Sequence, residues 1–163
     1  MLGIAFGASL LAAGASLRFG GYANGGGPLA DWERVVSAAL LARLCAPDAA
    51  DAPSVESVGA PAFVARYVSQ MPEAMRTELR AFLLLVEHAA PTLAGVSAHR
   101  WSLLRGEEQD EVLAWLGERA PARLSSAFSA VKSLFFMAYY RAPATWAMIG
   151  YDGPKVAGEP ETP

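Results

Sequence analysis

Pro121–Arg141 reads PARLSSAFSAVKSLFFMAYYR, and its spacing predicts the longest helix of the chain. At about 100° per residue, Leu124, Val131, Phe135, Ala138 and Tyr139 fall within about 80° of Phe128. The opposite side of the first half carries Ser125, Ser126, Ser129, Lys132 and Ser133, as a solvated face should. In the second half Phe136, Met137 and Tyr140 take over that side, so the helix turns from amphipathic to apolar all round. Such a helix sits at the centre of its bundle or against another protein. A chain this small has little interior to surround a helix completely, so the second half is expected to face a partner. Tyr, Trp, Met and Arg are also the types enriched in interface cores.

Working outward, the same helical period recurs. Upstream, Glu107, Glu108, Asp110 and Glu111 load the first turns of a helix with acid, which complements its dipole. Val112, Trp115 and Leu116 are its expected buried face, and Arg119 closes its last turn. Pro91–Leu104 reads as irregular chain with at most a short helical turn. Pro72 opens a helix with Met75, Leu79, Phe82, Leu83 and Val86 as its apolar stripe, while Glu73, Arg76 and Arg80 face water. Pro61 opens a shorter one carrying Phe63, Val64, Tyr67 and Val68. Ala46–Ser57 is a loop, and before it Asp31 offers an N-cap to a helix with Trp32, Val35, Val36, Ala39 and Leu40 on its apolar period. Downstream, Pro143 starts a last short helix stopped by Gly150. No apolar/polar alternation persists for five residues anywhere. The reading is all-α, a small irregular bundle of about five to seven helices.

Residues 1–17 differ from the rest. Leu2–Leu17 is uncharged and rich in Ala and Gly, too short and glycine-broken to be a convincing membrane span. It matches the apolar region of a signal peptide, with Ala13-Gly14-Ala15 as a cleavage candidate. No basic residue precedes it. Twin-arginine signals place an arginine pair ahead of Phe-Leu-Gly or similar, and Met1-Leu2-Gly3 fits the end of that pattern, so translation is expected to begin upstream. An uncleaved anchor or a short buried helix are the alternatives. Residues 18–30 form a linker with five glycines, 31–154 the helical domain and 155–163 a frayed tail.

Composition narrows the function. The 163 residues suit one domain, and 53% hydrophobic residues with a mean hydropathy of +0.26 exclude a disordered chain. A net charge of −3 without any basic run argues against nucleic acid as the main partner. The lone Cys45 has no internal disulfide partner, and a small buried thiol is its expected state. A di-iron Glu-x-x-His pair is absent, because Leu85 and Val96 stand three residues before His88 and His99. Paired cysteines for zinc and a haem-attachment motif are missing too, and Gly25–Gly27 lacks the dinucleotide spacing. His88 follows Glu87 at a helix end, where the dipole favours a cationic ring. No catalytic, cofactor-binding or metal-ligating residue is assigned.

The most informative segment is Phe135–Pro154, FFMAYYRAPATWAMIGYDGP, with two Phe, three Tyr and one Trp in twenty residues. No nucleophile, base and acid line up there, so it suits packing and recognition rather than turnover. Its Tyr139, Tyr140, Pro143, Trp146, Ile149, Gly150, Tyr151, Gly153 and Pro154 resemble the closing motif of the gluconate 2-dehydrogenase subunit 3 family. The resemblance extends more loosely over Trp32–Pro154, with Glu111–Trp115, Phe128 and Leu134 as a middle part. It implies a small helical subunit that accompanies an exported flavoprotein dehydrogenase of the glucose-methanol-choline class. FAD would belong to the large subunit and haem c to a third, cytochrome c subunit. The small subunit would help the large one fold and travel by the twin-arginine route, to a periplasmic or membrane-associated place. The partner interface is then expected at Phe136, Met137, Tyr139, Tyr140, Arg141, Pro143, Trp146, Ile149, Gly150, Tyr151, Asp152, Gly153 and Pro154. Two other readings stay open: a membrane-tethered helical module holding an apolar ligand, and a small enzyme using tyrosine, Asp152 and Arg141.

Overall fold

The computed structural model describes residues 29–45 and 52–153, whose regular secondary structure is helical throughout. In chain order they form α1 (Asp31–Cys45), α2 (Ala60–Gln70), α3 (Glu73–His88), α4 (Ala90–Leu93), a 3-10 turn (Trp101–Leu103), α5 (Gly106–Glu118), α6 (Ala122–Tyr140) and a C-terminal 3-10 helix (Pro143–Ile149). The signal-like segment, most of the glycine linker, the tail and Pro154 lie outside the described residues. No helix among the described residues is long and apolar enough to cross a membrane.

Prolines set most helix starts. Pro61 and Pro143 occupy first-turn positions, while Pro72 and Pro121 sit one residue earlier, as N-caps with extended backbone. Their missing N–H would have no helical partner there anyway. The first helix begins at Asp31 rather than after it. Ala30 takes the cap position, its carbonyl accepting from Arg34 N–H. Its own N–H donates to the Glu33 carboxylate at 2.7 Å.

α6 is the centre of the bundle: it packs against α1, α2, α3, α5 and the C-terminal 3-10 helix. Phe128, Val131, Leu134, Phe135, Ala138 and Tyr139 are its buried positions, as the sequence period predicts. Its second half is not a bare partner face. Phe136 and Tyr140 are half-buried against the core, and only Met137 of the three is exposed. The helices around α6 arrive from distant parts of the chain, which supplies the interior that its length of chain alone does not suggest.

Long-range polar contacts fix the other helices. The Arg43 guanidinium forks onto Asp110, with Nε at 2.6 Å from Oδ1, joining α1 to α5. That pairing holds the Asp110 carboxyl below its ordinary range. Glu33 is buried and accepts from Arg80 Nε at 2.5 Å, joining α1 to α3. Glu87 is fully buried and accepts from Ser102 N–H and Oγ at 3.0 and 2.7 Å, tying α3 to the 3-10 turn. Beside it Trp101 is fully enclosed, and Gln109 Nε2 donates to its carbonyl at 3.2 Å. Each buried carboxylate is thus matched by donors, which is the condition for burial.

Two expectations need correction. Met75 belongs to the α3 apolar stripe by period but is 51% exposed, whereas Leu113, unassigned by period, is buried. The stripe is wider than the surface that the neighbouring helices cover. His88 is not driven towards its cationic form: burial lowers its pKa, and this outweighs the opposing effect of Glu87.

Candidate functional site

The expected interface residues divide into a frame and a surface. Tyr139 belongs to the frame and to the core, not to a face that a partner could reach. Its ring is fully enclosed, and its hydroxyl donates to the Pro53 carbonyl at 2.7 Å. Burial raises its pKa. The reason is geometric: Tyr139 shares the inward side of α6 with Phe135 and Ala138. Tyr140, its neighbour, meets the Tyr139 ring edge-on at 5.1 Å and the Phe136 ring at 5.8 Å. Lys132 Nζ lies 5.4 Å from the Phe136 ring centre, a cation–π contact.

Past α6 the chain turns sharply. Pro143 is exposed and starts the 3-10 helix, and the Thr145 hydroxyl donates to the Ala142 carbonyl at 2.8 Å. Trp146 Nε1 donates to the Tyr140 carbonyl at 2.9 Å, which pins the indole back on the end of α6. Tyr151 meets that indole edge-on at 5.2 Å. Gly150 stops the helix with φ +64°, and Gly153 follows at φ +100°. A Cβ on Gly153 would stand 2.9 Å from the Trp146 ring, so the buried glycine is required by both backbone and space.

That frame leaves Ile149 and Tyr151 outward at 53% and 45% exposure, while Met148, at 42%, turns its Sδ in to accept from the Tyr139 hydroxyl at 3.8 Å. Asp152 is exposed with them. Arg141 turns away: its guanidinium lies 4.9 Å from the Phe63 ring centre and donates to the Val58 carbonyl at 3.4 Å. The sequence reading thus groups two classes of residue under one heading. Trp146, Tyr139 and Gly153 shape the end of the bundle, and Met148 (not among the expected residues), Ile149 and Tyr151 are its surface.

A second apolar surface lies between α3 and α6, closed at one end by α2. It is a groove of about 360 Å³ bordered by Tyr67, Met75 and Met137, each at least 40% exposed. Sequence reasoning missed it because the α3 and α6 residues that line it stand 45 or more positions apart. The exposed apolar position on each helix is its only trace in the sequence.

Cys45 is buried, its thiol donates to the Phe135 carbonyl at 3.6 Å, and burial pushes its pKa up to about 12. It is a core residue. Among the described residues no group of three or more His, Cys, Asp or Glu side chains is arranged to hold a metal ion. The geometry is that of a helical bundle with two exposed apolar surfaces. The model of the gluconate 2-dehydrogenase subunit 3 family matches residues 32–153, which include both surfaces. No curated protein and no solved structure matches the chain.

Proposed function

Because the chain belongs to the gluconate 2-dehydrogenase subunit 3 family, we propose that it is the non-catalytic small subunit of an exported dehydrogenase. It binds a large FAD-dependent subunit of the glucose-methanol-choline class, helps it fold and leaves the cell with it. The flavin resides in the large subunit, and a cytochrome c subunit takes up the electrons. The observation that carries this reading is the C-terminal cap. Ile149 and Tyr151, with the part of Met148 that its sulfur contact leaves open, stand in water on a frame of aromatic contacts and left-handed glycines. Water-exposed apolar side chains grouped in a rigid setting mark interaction sites.

Flavin loading before export requires a folded cargo, and a folded cargo without its own signal needs a bound companion that has one. The signal-like Leu2–Leu17 gives this chain the means for that task. The large subunit's substrate is a sugar, sugar acid, alcohol or sterol.

The test is purification of the tagged full-length chain from its host, followed by an absorbance spectrum and an acceptor assay. The complex is expected to show flavin and haem bands and dehydrogenase activity. The chain produced alone is expected to be colourless and inactive with any sugar or alcohol. Turnover by the isolated chain, with no flavoprotein present, would end this reading.

A further inference from the structure

Building on the small-subunit reading, we propose that the groove between α3 and α6 is a second docking site, separate from the C-terminal cap. Its occupant is an amphipathic helix of the large subunit whose apolar face carries a Lys or Arg opposite Glu78.

The floor of the groove is core that comes to the surface. Leu79, Phe82, Val131 and Leu134 keep 5–9% of their surface in water, whereas Leu83 and Val86 of the same α3 keep none. At that floor the two helices are already joined by the Phe82 and Phe128 rings, stacked with centres 6.5 Å apart. The groove is therefore a built feature and not a gap that closer packing would remove.

Its shape selects a helix. Met75, Glu78, Leu79 and Phe82 follow one α3 face at helical spacing, and Ala127, Ala130, Val131, Leu134 and Met137 follow the facing side of α6. The two alanines keep that wall low, which lets a third backbone approach closely. At about 360 Å³ the groove holds a row of side chains, and it lies at the small end for enclosing a whole organic ligand. Met75 and Met137 at its rim are unbranched and adaptable, the kind of side chain that remoulds around a bound helix.

Its charge selects the partner's residue. Ser133 donates its hydroxyl to the Ser129 carbonyl at 2.9 Å, so it asks nothing of an occupant. Glu78 is the one charge in the lining, is exposed, and its carboxylate meets no ion-pair or hydrogen-bond partner among the described residues. A helix covering the groove would strand that carboxylate unless it brought a cation, because burying a lone charge is strongly unfavourable. A complementary cation also fixes the register of the docked helix.

The test uses the full-length chain and the flavoprotein that copurifies with it, identified by its FAD spectrum. Met75→Lys and Glu78→Lys are compared with wild type and with Glu111→Lys, a charge reversal on exposed α5 surface. Each groove variant is expected to weaken the complex by at least about tenfold, with Glu111→Lys unchanged. All three variants should melt like wild type, since each position is exposed. A photoreactive phenylalanine at position 75 should crosslink to a large-subunit helix that contains Lys or Arg. Reversing that residue to Glu should restore binding of Glu78→Lys. Wild-type affinity in both groove variants, with the complex intact, would overturn the groove proposal alone. So would a crosslink to a lipid, a small ligand or a second copy of this chain. If the wild-type chain binds no flavoprotein, the small-subunit reading fails and this inference with it.

Discussion

Tyr139 and Tyr151 are the same residue type, twelve positions apart, in two regions of opposite character. In the closed interior that Tyr139 shares, Trp101, Phe135 and Leu116 are enclosed to within 1% of their surface, and Glu33 and Glu87 are buried with donors. Around Tyr151, and along the α3–α6 groove, large apolar side chains stand 40–53% in water. Residue type does not separate the two regions; what faces each side chain does. The closed side carries stability, and the open side is where we propose that a partner is recognised. Substitutions should therefore affect melting on one side and association on the other.

The largest effect is expected at Trp101. Replacing this enclosed ring by alanine should cost about 3–5 kcal/mol in urea unfolding of the isolated chain. A loss near zero would erase the distinction between the regions. Glu33→Ala comes next, at about 1–3 kcal/mol, because it orphans the Ala30 N–H and removes the carboxylate that Arg80 meets. Most of that cost should come from the cap, since the Arg80 side chain is 52% exposed and its ion pair is weak. Gly153→Ala strains a left-handed position by about 1–3 kcal/mol. That strain falls beyond the last helix, so the expected readout is loss of the flavoprotein complex while the bundle still melts cooperatively.

His88 gives a pH test of the closed side. Its folded pKa lies below the ordinary 6.5, so the unfolded chain binds the proton first as pH falls. Stability should decline as pH drops through 6.5 towards the folded value, then level off for this group. Thermal melts between neutral and mildly acid pH, with His88→Gln as reference, check it; a slope of opposite sign would mean the ring is held charged. The smallest effect on stability belongs to the open side. Met137→Ala and Ile149→Ala should each shift folding by less than about 0.5 kcal/mol. Ile149→Ala should still weaken association, measured by co-purification of the large subunit.

Much of the fold is legible because the prolines and the helical period act locally. Pro61, Pro72, Pro121 and Pro143 mark four helix starts to within a residue, and Gly150 marks a stop. What escapes the sequence depends on distant partners. Glu33 and Glu87 look like solvated acids until Arg80, 47 residues away, and Ser102, 15 away, come to meet them. Met75 looks like core because its period is right, and nothing local records that no helix covers it. The C-terminal frame is visible as a pattern of Tyr, Trp and Gly. Its division into frame and surface is not, because Trp146 turns inward through its bond to the Tyr140 carbonyl and its close approach to Gly153.

The bonds that α6 makes have a consequence for timing. The Tyr139 hydroxyl reaches back 86 residues to Pro53, the Cys45 thiol reaches forward 90 to Phe135, and Arg141 spans 83 to Val58. Helices made earlier on the ribosome therefore wait for the last long one before any of them has a complete interior. Contacts of such long sequence separation slow the search for the native state, since chain ends must meet before they are rewarded. The body should close in one late step after residue 141 has emerged, and until then the nascent chain offers chaperones its open apolar faces.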